Sequence, residues 1–468
     1  MDLVDLAFTP ALELAELIRL HQISPLELVQ LYLDRIDQLN PQLGCYFTVM
    51  AEEAIALATR QTEQLAQPII GDELPPFFGV PISIKDLNPV AGVRCTYGSP
   101  VLMNQEATQD DGVVSKIRAA GFIILGKTAT SEVGTLPYTE PDGFPPARNP
   151  WNLDYTPGGS SGGAASAVAA GLCSIAQGSD GGGSIRGPAF CCGLVGIKPA
   201  RGRVSHAPVG DYQSGISTNG PIARTVADAA ALLDVMSGYL VGDPYWLPTP
   251  QPSFLSATQT TPNSLRIAYA TEIPHIGSAT PALQEAVLNT VKQLDELGHS
   301  VEPACPEVAD LVEPFLVVWT AGVAASGIPG DMLNPMNGWL LEQTTSVGDY
   351  LRAVSQMQVI ARRIVSFFDN FDVLILPTCL HPAIRVGEYA NLSPEETIKN
   401  IINWIVPCPP FNATGQPAIA LPTGFDEMGL PIGVQLVGRP AAEMTIIAIA
   451  AQLEATMASC RVRPPIAE

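Results

Sequence analysis

The sequence predicts an α/β protein built on a large mixed β-sheet covered on both faces by α-helices. Short apolar runs bounded by Gly and Pro alternate with amphipathic segments along most of the 468 residues, the pattern of buried strands interleaved with helices. One stretch, residues 264–304, reads as a complete β-α-β unit. With 47% hydrophobic and 15% charged residues, the chain carries enough apolar surface for a large core.

Taken in order, the first clear element is a surface helix from Ser24 to Asn40. Ser24 is placed to cap it, Pro25 takes the first helical position, and Glu27 stands where a capping box needs it. Leu28, Leu31 and Ile36 then repeat on one side. "FFGVPISIKDL" (77–87) and "GFIILGKT" (121–128) are buried strands. Ala164 to Ala170 is a small-residue helix closed by Gly171. A strand ending at Gln177 follows, then three glycines, and Ser184 opens a short helix. Residues 241–262, with the Pro-rich "YWLPTPQPSFLSATQTTP", form a surface connection. In the β-α-β unit, "SLRIAYA" and "HSVEPA" flank a helix from Pro281 to Leu297, capped by Thr280 and ended by Gly298. "DVLILPT" adds a strand, and "AIALPTGF" and "IGVQLVG", joined by Asp426 to Pro431, form a hairpin. There is no internal repeat. The expected organisation is a single unit over 1–468, with N-terminal helices in 1–70, a core in 71–240, the connection, and the rest of the sheet with pocket helices in 263–468.

Charge and composition remove several function classes. Lys and Arg total 24 against 46 acidic residues, a formal charge of −22, so no nucleic-acid or anionic-membrane partner is expected. No charge-free apolar run approaches the length of a membrane span, and "MDLVDLAFTPALEL" has no basic stretch before an apolar one. A cytoplasmic protein is the expectation. Nine cysteines, scattered singly except for Cys191 and Cys192, do not form a secreted disulfide framework. Five dispersed histidines without HExxH, and no CxxC, leave no expected metal site and no cofactor. On the apolar helix after Ser184, Cys191 and Cys192 read as buried structural thiols.

Two glycine runs carry the chemistry. "TPGGSSGGAASAVAAGL" (156–172) has the composition of a linker yet sits between apolar strands. "CSIAQGSDGGGSIRGPAFCCGLVGIKP" (173–199) places a glycine turn where backbone N–H groups converge before a helix, a geometry suited to a phosphate or an oxyanion. No Walker motif and no acidic ribose contact accompany it. Either run alone reads equally well as tight turns packed under small residues.

Together, in this order and at this separation, the two runs resemble the amidase signature family, whose hallmark is a GGSSGG stretch followed by D-x-GGSIR-x-PA. "GVPISIKDL" resembles the family's lysine strand, and "GLVGIKPARGRVS", "GPIARTVADAAALL" and "NATGQPAIALPTG" follow it too. The resemblance covers most of the chain and is weakest over Tyr239–Pro262 and Glu307–Phe368. It implies a catalytic lysine at Lys85, a bridging serine at Ser160 in a cis peptide after Gly159, and a nucleophile at Ser184. These are spaced 75 and 24 positions apart. It further implies an oxyanion hole from the N–H groups of Gly181, Gly182, Gly183 and Ser184, each donor worth about 3 kcal/mol in hydrolases.

The chemistry is coherent. A serine hydroxyl needs a base to attack an amide, and the only histidine near either run, His206, is expected to be a surface or loop residue. Lysine, with an ordinary pKa of about 10.4, serves only if burial neutralises it. Asp86, next along the strand, should face away. Asp180 and Arg186 are expected to brace the glycine turn. Lys198 and Arg203 match the family without a role that follows from the residues.

The implied activity is metal-free hydrolysis of a carboxylic amide through a seryl acyl-enzyme. The implied substrate is a small-molecule amide, and a homodimer is compatible with the resemblance. Thr130–Phe144, Leu311–Met332 and Ile401–Phe411 are the expected pocket walls. Two other readings differ from this one. The A subunit of a glutamyl-tRNA amidotransferase shares the resemblance, but Gly181 and Gly187 depart from its usual residues. A non-catalytic binding protein on the same scaffold would not require Lys85, Ser160 and Ser184 together.

Overall fold

The computed structural model describes residues 2–67, 74–456 and 462–467. The boundary expected at residues 70 and 71 lies outside the described residues. Thirteen strands are formed: β1 (Tyr46–Val49), β2 (Pro81–Lys85), β3 (Ile123–Thr128), β4 (Ile175–Asp180), β5 (Val195–Lys198), β6 (Thr218–Ala223), β7 (Arg266–Tyr269), β8 (Glu272–Ile273), β9 (Gly277–Ser278), β10 (Ser300–Pro303), β11 (Val373–Pro377), β12 (Ala418–Phe425) and β13 (Pro431–Gly438). Strands β8 and β9 pair with each other, and the other eleven form one sheet in the order β1-β3-β2-β4-β6-β5-β12-β13-β11-β7-β10.

The sheet is mixed, as expected. Strand β2 runs parallel to β3 and β4, and β7 runs parallel to β10 and β11. The β4–β6, β5–β6, β5–β12, β12–β13 and β11–β13 pairs are antiparallel. Strands β2, β3, β6, β11 and β13 are buried at every residue. Successive side chains point to opposite faces, so helices must cover both.

Several elements fall where the sequence places them. The helix Pro25–Leu43 has the full capping box: Ser24 Oγ accepts from the Glu27 amide at 3.1 Å, and Glu27 Oε2 accepts from the Ser24 amide at 2.9 Å. It runs through Pro41 to Leu43, past the expected Asn40, because Leu43 is fully buried, and Gly44 at φ 58° then stops it. The β-α-β unit forms with the helix Pro281–Glu296 between β7 and β10. The hairpin β12–β13 also forms, inserted beside β5.

Two expectations near the glycine turn are corrected. Strand β4 continues three residues past Gln177, because the antiparallel β6 stays in register as far as Asp180 opposite Thr218. The polar Gly178–Ser179–Asp180 end is therefore held by a neighbouring strand rather than by its own hydrophobicity. Ser184 does not open the following helix, which runs Arg186–Cys192; the serine lies in the turn before it.

Residues 156–170, which have a linker's composition, are all buried. The helix Gly162–Ala169 packs so closely on the sheet that a Cβ at Gly163 would lie 2.3 Å from the Ala129 amide nitrogen and 2.6 Å from the Cys45 carbonyl oxygen. Only glycine fits there. The connection is pinned to the core as well: a short helix, Phe254–Ala257, buries both of its end residues, and Asp234 accepts from the Phe254 and Leu255 amides.

Candidate active site

The end of β2 delivers Lys85 into the interior. Its side chain is fully buried, and Nζ donates to Ser160 Oγ at 2.7 Å, to Ser179 Oγ at 3.0 Å and to the Ser179 carbonyl at 3.3 Å. Burial pulls the ammonium down from its ordinary value to about 7, against a smaller opposing effect of the Asp180 carboxylate. A substantial neutral fraction therefore exists near neutral pH. Asp86 points to the opposite face, as strand alternation requires. There it pairs with buried Lys127 at 2.8 Å and accepts from Thr96.

Ser160 follows a cis peptide, Gly159–Ser160. The preceding glycine is dictated by space, since a Cβ at Gly159 would lie 2.5 Å from the Tyr138 amide nitrogen. The next residue ties the serine loops together: the Ser161 amide donates to the Ser184 carbonyl at 3.2 Å, and its hydroxyl donates to the Ser179 carbonyl at 3.2 Å.

The Ser184 turn is built around Asp180. The carboxylate accepts from the amides of Gly183 (2.7 Å), Ile185 (3.2 Å) and Arg186 (3.4 Å) and pairs with the Arg186 guanidinium at 3.0 Å. Burial alone would raise this carboxyl. Arg186, aided by Lys198 and a hydrogen bond from Asn412, outweighs it and holds the group well below the usual carboxylate range. Arg186 in turn donates to Gln435 Oε1 and Asn412 Oδ1, each at 2.5 Å, and to the Cys408 carbonyl at 3.0 Å. Asp180 and Arg186 are thus supports of the turn.

The four amides expected as donors differ in their partners. The Gly183 amide is committed to Asp180, because the turn needs that bond to hold its shape. Among the described residues, the amides of Gly181, Gly182 and Ser184 have no acceptor.

Two cavities meet at Ser184. One is lined by apolar side chains, among them Leu311, Phe315, Ile401, Trp404 and Val406, and by no charged residue. The expected segments, Thr130–Phe144, Leu311–Met332 and Ile401–Phe411, each contribute walls to it. The other cavity is the more polar of the two and includes Ser160, Ser179, Asn88, Asp111, His206 and Asn219. His206 is a loop residue, as one of the two expected placements has it, but not a surface one: it is 9% exposed, its Nε2 lies 3.0 Å from the Ser217 carbonyl, and it borders this second cavity. Tertiary packing covers a residue that local sequence marks as a loop position. Cys191 and Cys192 are buried, and burial pushes both thiols up.

The amidase family profile matches residues 27–447. A chain from Synechocystis sp., provisionally named an amidase, is 55% identical over 97% of this chain and 89% of its own. The chain belongs to the amidase family. Among solved structures, 6-aminohexanoate cyclic dimer hydrolase with its substrate superposes at a TM-score of 0.91, 31% identical and covering 100% of both chains. A bacterial aryl acylamidase of the amidase signature family superposes at 0.84, with 27% identity and 96% of each chain covered.

In this amidase, the residues that sequence reasoning missed are those that hold the others. Ser179 is a second acceptor for Lys85, and Gln177 fixes the Lys85 backbone by accepting its amide at 3.1 Å. Both lie in the run that contains Ser184, and alternation along β4 was the available signal. Asn412 opens a stretch that follows the family but carries no role from it, and Gln435 had no signal; both are more than 200 positions away from Arg186. Lys198, also without a role from sequence, is buried; burial lowers it to about 7, and it donates to the Pro199 carbonyl. Arg203 pairs with Glu443 at 2.9 Å.

Arg186→Leu is expected to cost about 3–5 kcal/mol of unfolding free energy, because it leaves the Asp180 carboxylate buried without its cation. Denaturant unfolding measures it. A loss below about 1 kcal/mol, the range of an exposed pair, would remove Arg186 as the support of the turn.

Proposed function

We propose that this amidase hydrolyses neutral, largely apolar carboxylic amides as a single chain, without a metal ion, through an acyl-enzyme on Ser184. The observation that carries the reading is the 2.7 Å contact from the buried Lys85 ammonium nitrogen to Ser160 Oγ, in a cavity that Ser160 shares with Ser184.

Neutral Lys85 takes the Ser160 proton as Ser160 takes that of Ser184, and Ser184 Oγ forms a bond to the carbonyl carbon. The oxygen becomes an oxyanion facing the amides of Gly181, Gly182 and Ser184. On collapse the C–N bond breaks, and the proton returns through Ser160 to the leaving nitrogen. Water then repeats the sequence on the ester, releasing the acid and regenerating Ser184.

Ser160 borders the polar cavity and not the apolar one, so the departing amine lies on the polar side and the acyl group on the apolar side. A glutamine site would need fixed charges for an α-ammonium and an α-carboxylate, each costing several kcal/mol if left unpaired in a dry pocket. The apolar cavity supplies none. The free and mostly buried state of the eight described cysteines supports a cytoplasmic location, and among the described residues no helix is long and apolar enough to cross a membrane.

The expected result is a kcat/KM for an aryl or long-acyl amide well above that for glutamine, with the purified single chain and with a chelator present. Ammonia or amine and the carboxylate are measured together. Preference for glutamine, dependence on an added partner chain, or loss of turnover with chelator would each overturn the corresponding part.

A further inference from the structure

The helix Val312–Ala325 carries Trp319 over the glycine turn. Its ring stacks on Phe315, with centroids 5.8 Å apart and planes at 18°. A Cβ added at Gly181 would lie 3.2 Å from Trp319 Cζ3, and one at Gly182 would lie 3.6 Å from the same atom. The indole therefore lies against the segment whose free amides face the reacting carbonyl. Among the residues lining the two cavities, only Ser184 and Trp319 border both. The two cavities therefore meet at Ser184 and Trp319.

We infer that Trp319 is a specificity-determining residue that restricts the acyl group to chains unbranched at the carbon next to the carbonyl. This rests on the acyl-enzyme reading above. With the carbonyl oxygen held at the Gly181 and Gly182 amides and carbon bonded to Ser184, the adjacent acyl carbon must enter the apolar cavity at the junction, beside the indole. One chain substituent continues along the apolar walls. A second or third substituent on that carbon points toward a six-carbon ring that is itself stacked on Phe315. The indole also explains why position 181 carries no side chain: an alanine there would sit 3.2 Å from the ring, closer than ordinary packing allows without displacing it.

The test compares p-nitroanilides of butanoic, isobutanoic and pivalic acids as substrates for the wild type, Trp319→Ala and Trp319→Phe. Each anilide shares the same leaving group, so intrinsic differences in acyl reactivity cancel when ratios are compared between enzymes. The wild type is expected to prefer butanoyl over pivaloyl. Trp319→Ala is expected to shrink that ratio by about tenfold or more, a typical effect of one methylene in a fitted pocket, with Trp319→Phe in between. A separate readout uses Gly181→Ala, expected to depress kcat/KM for the butanoyl anilide in the wild-type background and to depress it much less in the Trp319→Ala background. Ser184-dependent cleavage with the same acyl ratio in all three enzymes would overturn the inference alone. No Ser184-dependent cleavage of any anilide would overturn the hydrolase reading and the inference with it.

Discussion

Ser184→Ala is expected to lower kcat by a factor on the order of 10⁴ or more, the scale seen when a hydrolase loses its nucleophile, while the fold stays intact. The loss is large because without Ser184 Oγ no acyl-enzyme can form, and the remaining amides can only assist direct attack by water. The fold survives because the turn is held by the Asp180 carboxylate and the Arg186 guanidinium, and Ser184 takes part through its backbone carbonyl, which accepts from Ser161. Alanine keeps that carbonyl. Steady-state turnover beside an unchanged unfolding transition checks both halves. A sulfonyl fluoride that labels the wild type at this residue should fail to label the variant. Residual turnover above about one per cent would exceed what water attack supplies and would exclude Ser184 as the nucleophile.

The second large effect concerns Lys85. Lys85→Ala removes the proton acceptor, and Lys85→Arg replaces it with a guanidinium that stays charged at all working pH values; both are expected to abolish amide hydrolysis. In the proposed mechanism the working form is the neutral amine. Since burial sets the folded value at about 7, kcat/KM should fall as pH drops below about 7 and reach a plateau above it. The same shift affects stability. Between about 7 and the ordinary value of a lysine, the unfolded chain holds a proton on this lysine that the folded chain does not, so this group makes folding more favourable as pH rises through that window. Normal turnover by the arginine variant, or a flat profile from acid to alkaline pH, would show that another group is the base.

Much of this site was legible in the sequence because its parts are local. Lys85 ends a strand whose apolar run is contiguous, the capping box of Pro25–Leu43 spans four residues, and the glycine stretches mark positions where the backbone passes too close to a neighbour for a side chain. The carboxylate next to the lysine could also be turned away from it on strand alternation alone. The family resemblance added what no local pattern contains: that Lys85, Ser160 and Ser184 belong together.

Reading along the chain was enough for the α/β class, the order of most strands and helices, and the segments that wall the apolar cavity. Hydrophobic periodicity, capping and turn chemistry act between residues a few positions apart, so they can be read along the chain. Only the tertiary structure decided that Gly183 gives its amide to Asp180 and leaves three donors. It also decided that His206 is covered, that β4 extends to Asp180 on the support of β6, and that Trp319 borders both cavities that meet at Ser184. Each of these depends on which distant segments close against one another. The Arg186–Gln435 bond joins residues 249 positions apart, and a contact of that kind is set by the packing of the whole sheet and its helices, which no stretch of contiguous residues encodes.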